Sequence, residues 1–163
     1  MRPKLRQGHG IDFHRLTTDP VRPLMLGGLA LESELALVGH SDADVVLHAL
    51  ADAMLGALAQ GDIGDLFPDT DQRYKNMDSA LIAAEALNRV QIAGYRLVNI
   101  DLTLIGEVPR IKPPRLRIRE RLAQILSLPL DCISLKATTT ETMGALGRKE
   151  GVGCMATVLL EGT

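Results

Sequence analysis

Residues 43–59 constrain the fold more than any other stretch, because they are apolar on nearly every face that a helix would present. A helix of this kind is buried, either beneath a sheet or against another subunit. Ser41 or Asp42 can cap its first turn. The ionisable exceptions stand four residues apart and fall close to one helix face: Asp44, His48 and Asp52. Apolar packing does not require three ionisable side chains, so we expect this helix face to form part of a functional site.

The segments around this helix predict an α+β sandwich. Four longer strands are expected, at residues 3–14, 95–105, 133–139 and 151–161, with a small hairpin at 23–31. Two further helices are expected at about 79–93 and 114–127, and a long polar loop at 60–78. This order predicts a mixed four-stranded sheet covered on one side by helices, in a single domain spanning residues 1–163.

Composition excludes several functional classes. Apolar residues make up 46% of the chain and aromatic residues only 2%, with no Trp, so the core is expected to be aliphatic. A formal net charge of −2 gives no general attraction for polyanions, so any phosphate must be neutralised locally and no nucleic-acid partner is expected. Cys132 and Cys154 are far apart, which favours a reducing, cytoplasmic setting. No run is long enough to span a membrane, and no membrane partner is expected.

Two glycine-flanked segments contain all four histidines of the chain and predict a metal site. Asp12 and His14 are two apart in an extended run, so both side chains leave one face of the strand. With His48 from the apolar helix they make three N/O ligands with an open coordination position, which is typical of a catalytic metal. Such a set fits zinc, but it equally fits non-haem iron. Gly8 and Gly10 leave room beside it for another backbone or a ligand.

Two other polar segments have both a functional and an ordinary interpretation. Hydroxyls and amides of Thr138–Glu141, directly after a strand, can donate to phosphate oxygens while Glu141 holds a hard cation. On spacing alone, a Thr-rich strand with Glu141 capping a turn is favoured. Carboxylates in the loop segments 62–64 and 67–71 can bind ribose hydroxyls, although ordinary turn chemistry explains them equally simply.

A basic run between Arg110 and Arg121 is interpreted as a solvated helix face, because the chain has almost no aromatic residues to stack on bases. Only its residues in the turn before the helix are placed for a ligand. No phosphate-binding P-loop is present, because residues 144–149 lack the required spacing and ending.

Four segments together resemble the 2-C-methyl-D-erythritol 2,4-cyclodiphosphate synthase family. They are Gly-His-Gly-Ile-Asp-Phe-His at 8–14, His-Ser-Asp-Ala-Asp-Val-Val-Leu-His-Ala-Leu at 40–50, Gly-Asp-Ile-Gly-Asp-Leu-Phe-Pro-Asp-Thr-Asp at 61–71 and Lys-Ala-Thr-Thr-Thr-Glu at 136–141. The resemblance covers nearly the whole chain. It implies a homotrimer with active sites between subunits, and in some members an isoprenoid diphosphate on the trimer axis.

The resemblance also implies roles for individual residues. Asp12, His14 and His48 would bind Zn²⁺, and Glu141 would carry a second cation, Mg²⁺ or Mn²⁺. His40 and Thr139 would be catalytic, by stabilising the transition state. The implied substrate-binding residues are Asp12, Phe13, His14, His40, Ser41, Asp62, Ile63, Gly64, Phe67, Pro68, Asp69, Thr70, Asp71, Gly106, Glu107, Val108, Pro109, Arg110, Ile111, Lys112, Thr138, Thr139, Thr140, Glu141, Ala145 and Arg148.

The implied reaction is intramolecular. The 2-phosphate of 4-diphosphocytidyl-2-C-methyl-D-erythritol 2-phosphate attacks the β-phosphorus and releases CMP, a step in the non-mevalonate isoprenoid pathway. This sequence departs from the family at Ala145, where some members have Phe, and at Arg110, where Lys is common. Two other functions stay open, namely a non-haem iron enzyme using the same triad and a nucleotide-binding module without turnover.

Overall fold

The computed structural model describes residues 4–19, 21–68 and 70–163. A mixed five-stranded sheet forms its centre. The strands are β1 (Leu5–Thr18), β4 (Leu35–Val38), β5 (Tyr95–Ile105), β6 (Ile133–Thr138) and β7 (Gly151–Gly162). They are ordered β4-β1-β7-β5-β6, with β5 and β6 parallel and the other neighbours antiparallel. The register places residues 12–14 of β1 at the level of the end of β6, and the two candidate cavities lie at this level.

The predicted hairpin is confirmed as a separate two-stranded sheet of β2 (Leu24–Leu26) and β3 (Leu29–Leu31). Gly27 and Gly28 make its turn with φ angles of 62° and 75°. Glycine has no Cβ to oppose this left-handed conformation, so a Gly-Gly pair suits the turn.

The prediction of four strands in the main sheet was wrong, because β4 adds a fifth. It pairs with residues 15–18, in a part of β1 that runs beyond the predicted end at His14. The sequence Leu-Ala-Leu-Val of β4 is a four-residue apolar run without alternation, so its periodicity gives no strand signal. The pairing with β1, rather than local pattern, makes it a strand.

Within the described residues, five helices accompany the sheet: α1 (Val45–Leu58), α2 (Ile63–Leu66), α3 (Ser79–Ile92), α4 (Arg115–Leu126) and α5 (Gly144–Gly147). The stretch 60–78, predicted as an irregular loop, contains α2 and a 3₁₀ turn at Gln72–Tyr74. None of the helices in the described ranges is long and apolar enough to cross a membrane.

Helix α1 is buried along nearly its whole length, as its apolar sequence predicts. Its N-cap is Asp44 rather than Ser41 or Asp42, with Oδ1 accepting from the amides of Val46 and Leu47, both at 3.1 Å. The same carboxylate accepts from the Gly27 and Gly28 amides at 2.9 and 2.6 Å. Asp44 therefore joins the helix start to the hairpin turn, and its four N–H donors compensate for complete burial.

Helix α1 lies unusually close to β1 because Gly8 and Gly10 have no side chains. A Cβ on Gly8 would lie 1.8 Å from the Ala53 carbonyl oxygen, and one on Gly10 would lie 2.1 Å from that of Ala49. Real Cβ atoms do not approach backbone oxygens so closely, so any other residue would push the helix away. The expected close backbone approach is confirmed, and it brings His48 to the metal-ligand face of β1.

The opposite face of the sheet carries apolar side chains that the chain itself does not cover. On β1 the buried residues alternate with exposed ones. Leu5 and Phe13 are 56% and 57% exposed, and Ile11 and Met155 on the same face are also exposed. Ile11, Phe13 and Met155 are neighbours on this face, while Gln7 and His9 separate them from Leu5, and an exposed apolar group of this kind is typical of a protein–protein interface.

Candidate metal centre and active-site cavities

Asp12, His14 and His48 meet where α1 crosses β1. Asp12 Oδ2 lies 2.9 Å from His14 Nε2 and 3.2 Å from His48 Nδ1. The two histidine nitrogens are 3.1 Å apart. Three N/O atoms therefore converge on one point, which confirms the triad predicted from strand and helix spacing.

The donor set fits a divalent metal. Tetrahedral ligands about 2.0–2.1 Å from zinc would be roughly 3.4 Å from one another. The triad distances are slightly shorter, so a small outward movement of the side chains accommodates an ion. Because three ligands leave a fourth position free, the site is of the open, catalytic type rather than the closed, structural type.

The backbone of β4 fixes the orientation of His14. Its Nδ1 lies 2.8 Å from the Val38 carbonyl oxygen, which can only accept a hydrogen bond. Nδ1 must therefore carry the proton, and in the neutral ring the lone pair of Nε2 points to the triad centre. The strand that the sequence did not predict thus supplies a supporting contact for a predicted ligand.

The charges of the triad depend on one another. Burial by itself raises the pKa of Asp12, but hydrogen bonds from His14 and His48, which the two rings donate when they are protonated, outweigh it and hold this pKa well below its usual range. Burial by itself lowers the pKa of His14, but the hydrogen bond and charge of Asp12 outweigh it and leave the pKa raised. Asp12 is therefore a carboxylate at neutral pH and ready to bind a cation.

The triad opens into a cavity of about 460 Å³, which we call the metal cavity. It brings together many of the residues implied for substrate binding. The predicted residues in its lining are Asp12, His14, His40, Ser41, His48, Ile63, Gly64, Phe67 and Pro68. Tyr74, Met77 and Ile82 also line it, and their ordinary sequence context gave no signal of this.

His40 has an unsatisfied polar atom in this cavity. Its Nε2 is buried and has no hydrogen-bond partner among the residues that the structure describes. A buried polar nitrogen without a partner is costly, so a bound ligand that gave this nitrogen a hydrogen-bond partner would be favoured. The neighbouring Ser41 Oγ accepts from the Ala43 amide at 3.1 Å.

The three ionisable residues on one face of α1 have three separate roles. Asp44 caps the helix, His48 belongs to the triad, and Asp52 Oδ1 accepts from the Ile63 amide at 2.8 Å. Asp52 therefore anchors α2 at the edge of the metal cavity. Its contact with a backbone amide of a distant loop gave no signal in the sequence.

Other predicted carboxylates of the loop are engaged in local turns. Asp62 caps α2 by accepting from the Asp65 amide at 3.2 Å. Asp71 pairs with Arg73, whose Nη2 is 2.6 Å from Oδ2, and Thr70 is exposed beside it. Asp69 lies outside the described residues.

A second cavity of about 310 Å³ lies beside the end of β6, the strand at one edge of the sheet. We call it the loop cavity. The predicted residues in its lining are Gly106, Glu107, Pro109, Arg110, Ile111, Lys112, Thr138 and Thr139. Val108 lies in the same turn and is joined to Pro109 by a cis peptide bond. The loop cavity is therefore formed by the turn after β5 and the end of β6.

Glu107 shapes the backbone beside this cavity. Its Oε1 accepts from the Thr140 amide at 3.2 Å and from the Thr142 amide at 3.1 Å. Between these two amides Glu141 has a φ of 51°, in the left-handed region that only a well-supported non-glycine residue occupies. The Thr139 hydroxyl donates to Glu141 Oε1 at 2.9 Å. Glu107 and Thr139 together hold Glu141 in position.

The two cavities share no lining residue within one chain. The register aligns His14 with Val152 on β7, and Ile105 of β5 lies between Gly153 and Thr138. The triad and Thr138 therefore lie at the same end of the sheet, three strand spacings or roughly 14 Å apart. The family resemblance implies active sites between subunits, but the spacing of the residues alone gives no sign of this division.

Nine predicted substrate-binding residues within the described ranges line neither cavity, namely Phe13, Asp62, Thr70, Asp71, Val108, Thr140, Glu141, Ala145 and Arg148. The ring of Phe13 lies against Gly153 on the outer face of the sheet, opposite the metal ligands. Ala145 is in α5, and Arg148 follows it with its Nε 2.7 Å from Glu150 Oε1.

Comparison with known proteins identifies the family. The sequence model of the YgbB family matches residues 5–161. The chain belongs to the YgbB family. Its relatives include the 2-C-methyl-D-erythritol 2,4-cyclodiphosphate synthase of Leptospira borgpetersenii, which is 59% identical over 155 residues, covering 95% of this chain and 96% of the relative. The predicted family is therefore confirmed, and the chain is an enzyme of this isoprenoid-synthesis type.

Solved structures of the family agree with the fold. The bifunctional IspDF of Campylobacter jejuni superposes with a TM-score of 0.93 at 38% identity, and the match covers 98% of this chain and 42% of that protein. The CDP complex of IspF from Plasmodium falciparum superposes with a TM-score of 0.87 at 31% identity, covering 100% of this chain and 99% of that one.

Proposed function

We propose that this YgbB enzyme converts 4-diphosphocytidyl-2-C-methyl-D-erythritol 2-phosphate to 2-C-methyl-D-erythritol 2,4-cyclodiphosphate and CMP. An oxygen of the 2-phosphate attacks the β-phosphorus, and the bond from the β-phosphorus to the oxygen of the CMP phosphate breaks. The observation that carries the proposal is the triad of Asp12, His14 and His48, open to a cavity of substrate size. Zn²⁺ is the proposed metal of the triad.

Catalysis here requires charge neutralisation and in-line positioning, since an anion approaches an anion and no side-chain nucleophile is needed. The bound metal supplies a Lewis acid for a phosphate oxygen. His40 and Ser41 line the metal cavity and hold the methylerythritol phosphate there. The unpartnered His40 Nε2 supports a role for this residue in stabilising the transition state. Ile63, Gly64, Phe67 and Pro68 enclose the remainder of the erythritol and ribose, with Asp62 to Asp71 as the enclosing loop.

The loop cavity is the proposed nucleotide half. The backbone of residues 106–112 cradles cytosine, while Thr138–Glu141 hold the diphosphate with their hydroxyls and amides. Glu141 provides a carboxylate for a second divalent cation, Mg²⁺ or Mn²⁺, beside the diphosphate. Arg110 and Lys112 bring two positive charges to the same turn. That the P. falciparum relative was solved with CDP supports a cytidine nucleotide as the ligand.

The separation of the two cavities supports an active site shared between subunits. One chain places its metal half and its nucleotide half roughly 14 Å apart, with no common lining residue. We propose a homotrimer in which the metal half of one subunit faces the nucleotide half of the next. The exposed apolar face around Leu5, Ile11 and Phe13 is suited to bury itself in that assembly. An isoprenoid diphosphate on the trimer axis, near Ala145 and Arg148, is part of the same proposal.

The proposal also covers the domain organisation of the enzyme and its location in the cell. Residues 1–163 are proposed to act as one domain, because a single cluster of buried apolar residues connects the hairpin, α1, α3, α4 and the sheet. Cys132 and Cys154 are both free thiols, which supports a reducing, cytoplasmic location.

One assay tests the function. Purified protein is incubated with the cytidyl substrate, and CMP is measured with and without removal of divalent metals. We expect CMP release that stops in the metal-stripped protein and returns with Zn²⁺ plus Mg²⁺. Binding of the substrate without CMP release would instead indicate a nucleotide-binding module. Iron rather than zinc in protein purified without added metal would indicate the non-haem iron alternative.

A further inference from the structure

We propose that Ser79 and Asp42 are positioning residues that fix the His48 ring so that its Nδ1, and not its Nε2, faces the metal. The proposal rests on the metal role of the triad given above. Neither residue lines the triad itself, and neither was among the predicted site residues. Together they form a hydrogen-bonded chain that runs from the start of α3 to the back of the His48 ring.

The two nitrogens of His48 point in opposite directions. Nδ1 faces the triad, 3.2 Å from Asp12 Oδ2 and 3.1 Å from His14 Nε2. Nε2 faces the interior, 2.8 Å from Ser79 Oγ and 3.1 Å from Ser41 Oγ. Ser79 is fully buried and His48 nearly so, so solvent does not compete for these contacts.

The direction of the hydrogen bonds follows from the number of available protons. The single hydroxyl proton of Ser79 is donated to Asp42 Oδ1. An ionised carboxylate can only accept, so Ser79 Oγ is left as an acceptor toward His48. Nε2 must therefore carry the ring proton, and the lone pair of the neutral imidazole is on Nδ1, directed at the metal position.

Asp42 is itself held rigidly at the meeting point of two helix starts. Its Oδ2 accepts from the Ser79 amide at 3.1 Å, and its Oδ1 accepts from the Asp44 amide at 3.2 Å. Its own amide donates to the Met77 carbonyl at 3.1 Å. The carboxylate thus fixes Ser79 through both the backbone and the side chain, which gives the chain of contacts a defined geometry.

The consequence is that each histidine ligand is supported from behind. His14 donates to the Val38 carbonyl, and His48 donates to Ser79, which donates to a carboxylate. Partners of this kind orient the ring and increase the basicity of the ligating nitrogen. Their loss typically lowers metal affinity by roughly 10- to 100-fold.

The test is a competition titration of the metal-stripped full chain with Zn²⁺ against a chromophoric chelator. We expect Ser79→Ala to bind Zn²⁺ about 10- to 100-fold more weakly than wild type. Asp42→Asn keeps the shape of the side chain but removes the charge, so we expect a smaller loss in the same direction. It also tests the proposal should Ser79→Ala not fold.

Asp78→Ala is the matched control. Asp78 is exposed and caps the same helix by accepting from the Ala80 amide at 2.8 Å, but it does not contact His48. We expect this variant to lose thermal stability and to keep wild-type Zn²⁺ affinity. A purely structural role for Ser79 would make the two variants behave alike.

An NMR signature separates positioning from general loosening. In Zn²⁺-loaded protein labelled with ¹⁵N histidine, we expect a protected Nε2–H signal of His48 in wild type and in Asp78→Ala, and its loss through solvent exchange in Ser79→Ala. If Ser79→Ala and Asp42→Asn bind Zn²⁺ within about twofold of the affinity of Asp78→Ala, the positioning role is overturned and the proposed metal function is not affected. Failure of wild type to bind Zn²⁺ would overturn the proposed metal function as well.

Discussion

The metal half and the nucleotide half of this molecule are built in different ways. In the metal half, three side chains from β1 and α1 converge beneath a buried helix, and each histidine has a second partner that fixes its ring. In the nucleotide half, two surface turns present mostly backbone, and Glu141 and Thr142 have positive φ angles supported by the carboxylate of Glu107. One half depends on the identity of a few atoms, and the other depends on the shape of a loop.

This difference predicts how each half responds to mutation. Removal of a ligand atom from the metal half should abolish the chemistry while the fold survives, because α1 is held by apolar packing. Changes in the nucleotide half should be graded, because several amides and hydroxyls share the work of holding one diphosphate. Three variants test the contrast.

His48→Ala should have the largest effect. We expect a loss of turnover on the order of 1,000-fold or more, with a folded protein, because the metal loses a ligand and the reaction loses its Lewis acid. CMP release and bound Zn²⁺ per subunit are the measurements. His9→Ala is the control, because His9 lies on the outer face of β1 and hydrogen-bonds only with Thr157 among described residues, so that variant should keep its metal. Full activity in metal-stripped His48→Ala would contradict the zinc assignment.

Glu141→Gln should have an intermediate effect, on the order of 10- to 100-fold in turnover. The amide keeps the shape and the contact with Thr139 but binds a cation more weakly, so raised Mn²⁺ should restore part of the activity. The measurement is CMP release as a function of Mn²⁺ and Mg²⁺ concentration, with Glu85→Gln on α3 as the control. A profile identical to that of wild type would count against a second-metal role.

Glu107→Ala should have the smallest effect, about 10-fold and mainly in substrate affinity, because the Thr140 and Thr142 amides lose their acceptor and the loop relaxes. Glu107→Gln keeps an acceptor oxygen and should lose less. Measurement of KM and kcat for the two variants distinguishes them. Equal losses would show that the charge of Glu107, rather than its support of the loop, is what matters.

The same contrast explains which parts of the site could be predicted from the sequence. Asp12 and His14 are adjacent on a strand face by the period of two, and the glycines beside them indicated room for another backbone or a ligand, so the triad could be predicted from residues alone. The parts of the site that depend on long-range pairing could not. Strand β4 became a strand only through β1, and the anchoring of α2 by Asp52 joins residues that show no common pattern.

The proposed nucleotide half could be assigned only through family resemblance. A turn with several prolines and a run of threonines has many ordinary interpretations, and the proposed binding by backbone amides would be open to any sequence that adopts the turn. The support of residues 140–142 by Glu107 depends on tertiary structure and has no local signal. The roughly 14 Å separation of the halves likewise depends on strand order, which the sequence did not reveal.

The central claim is that the two halves of one chain serve two different active sites, and mixed oligomers test it most directly. Subunits carrying His48→Ala and subunits carrying Glu141→Gln are co-expressed in equal amounts with different affinity tags, and assemblies with both tags are isolated. If neighbouring subunits complete each site, about one third of the sites in a trimer that carries both tags combine an intact metal half with an intact nucleotide half. CMP release by these doubly tagged assemblies should then reach about one third of the wild-type rate, well above the mean of the two parent variants. A rate no higher than that mean would show that each chain uses its own two halves.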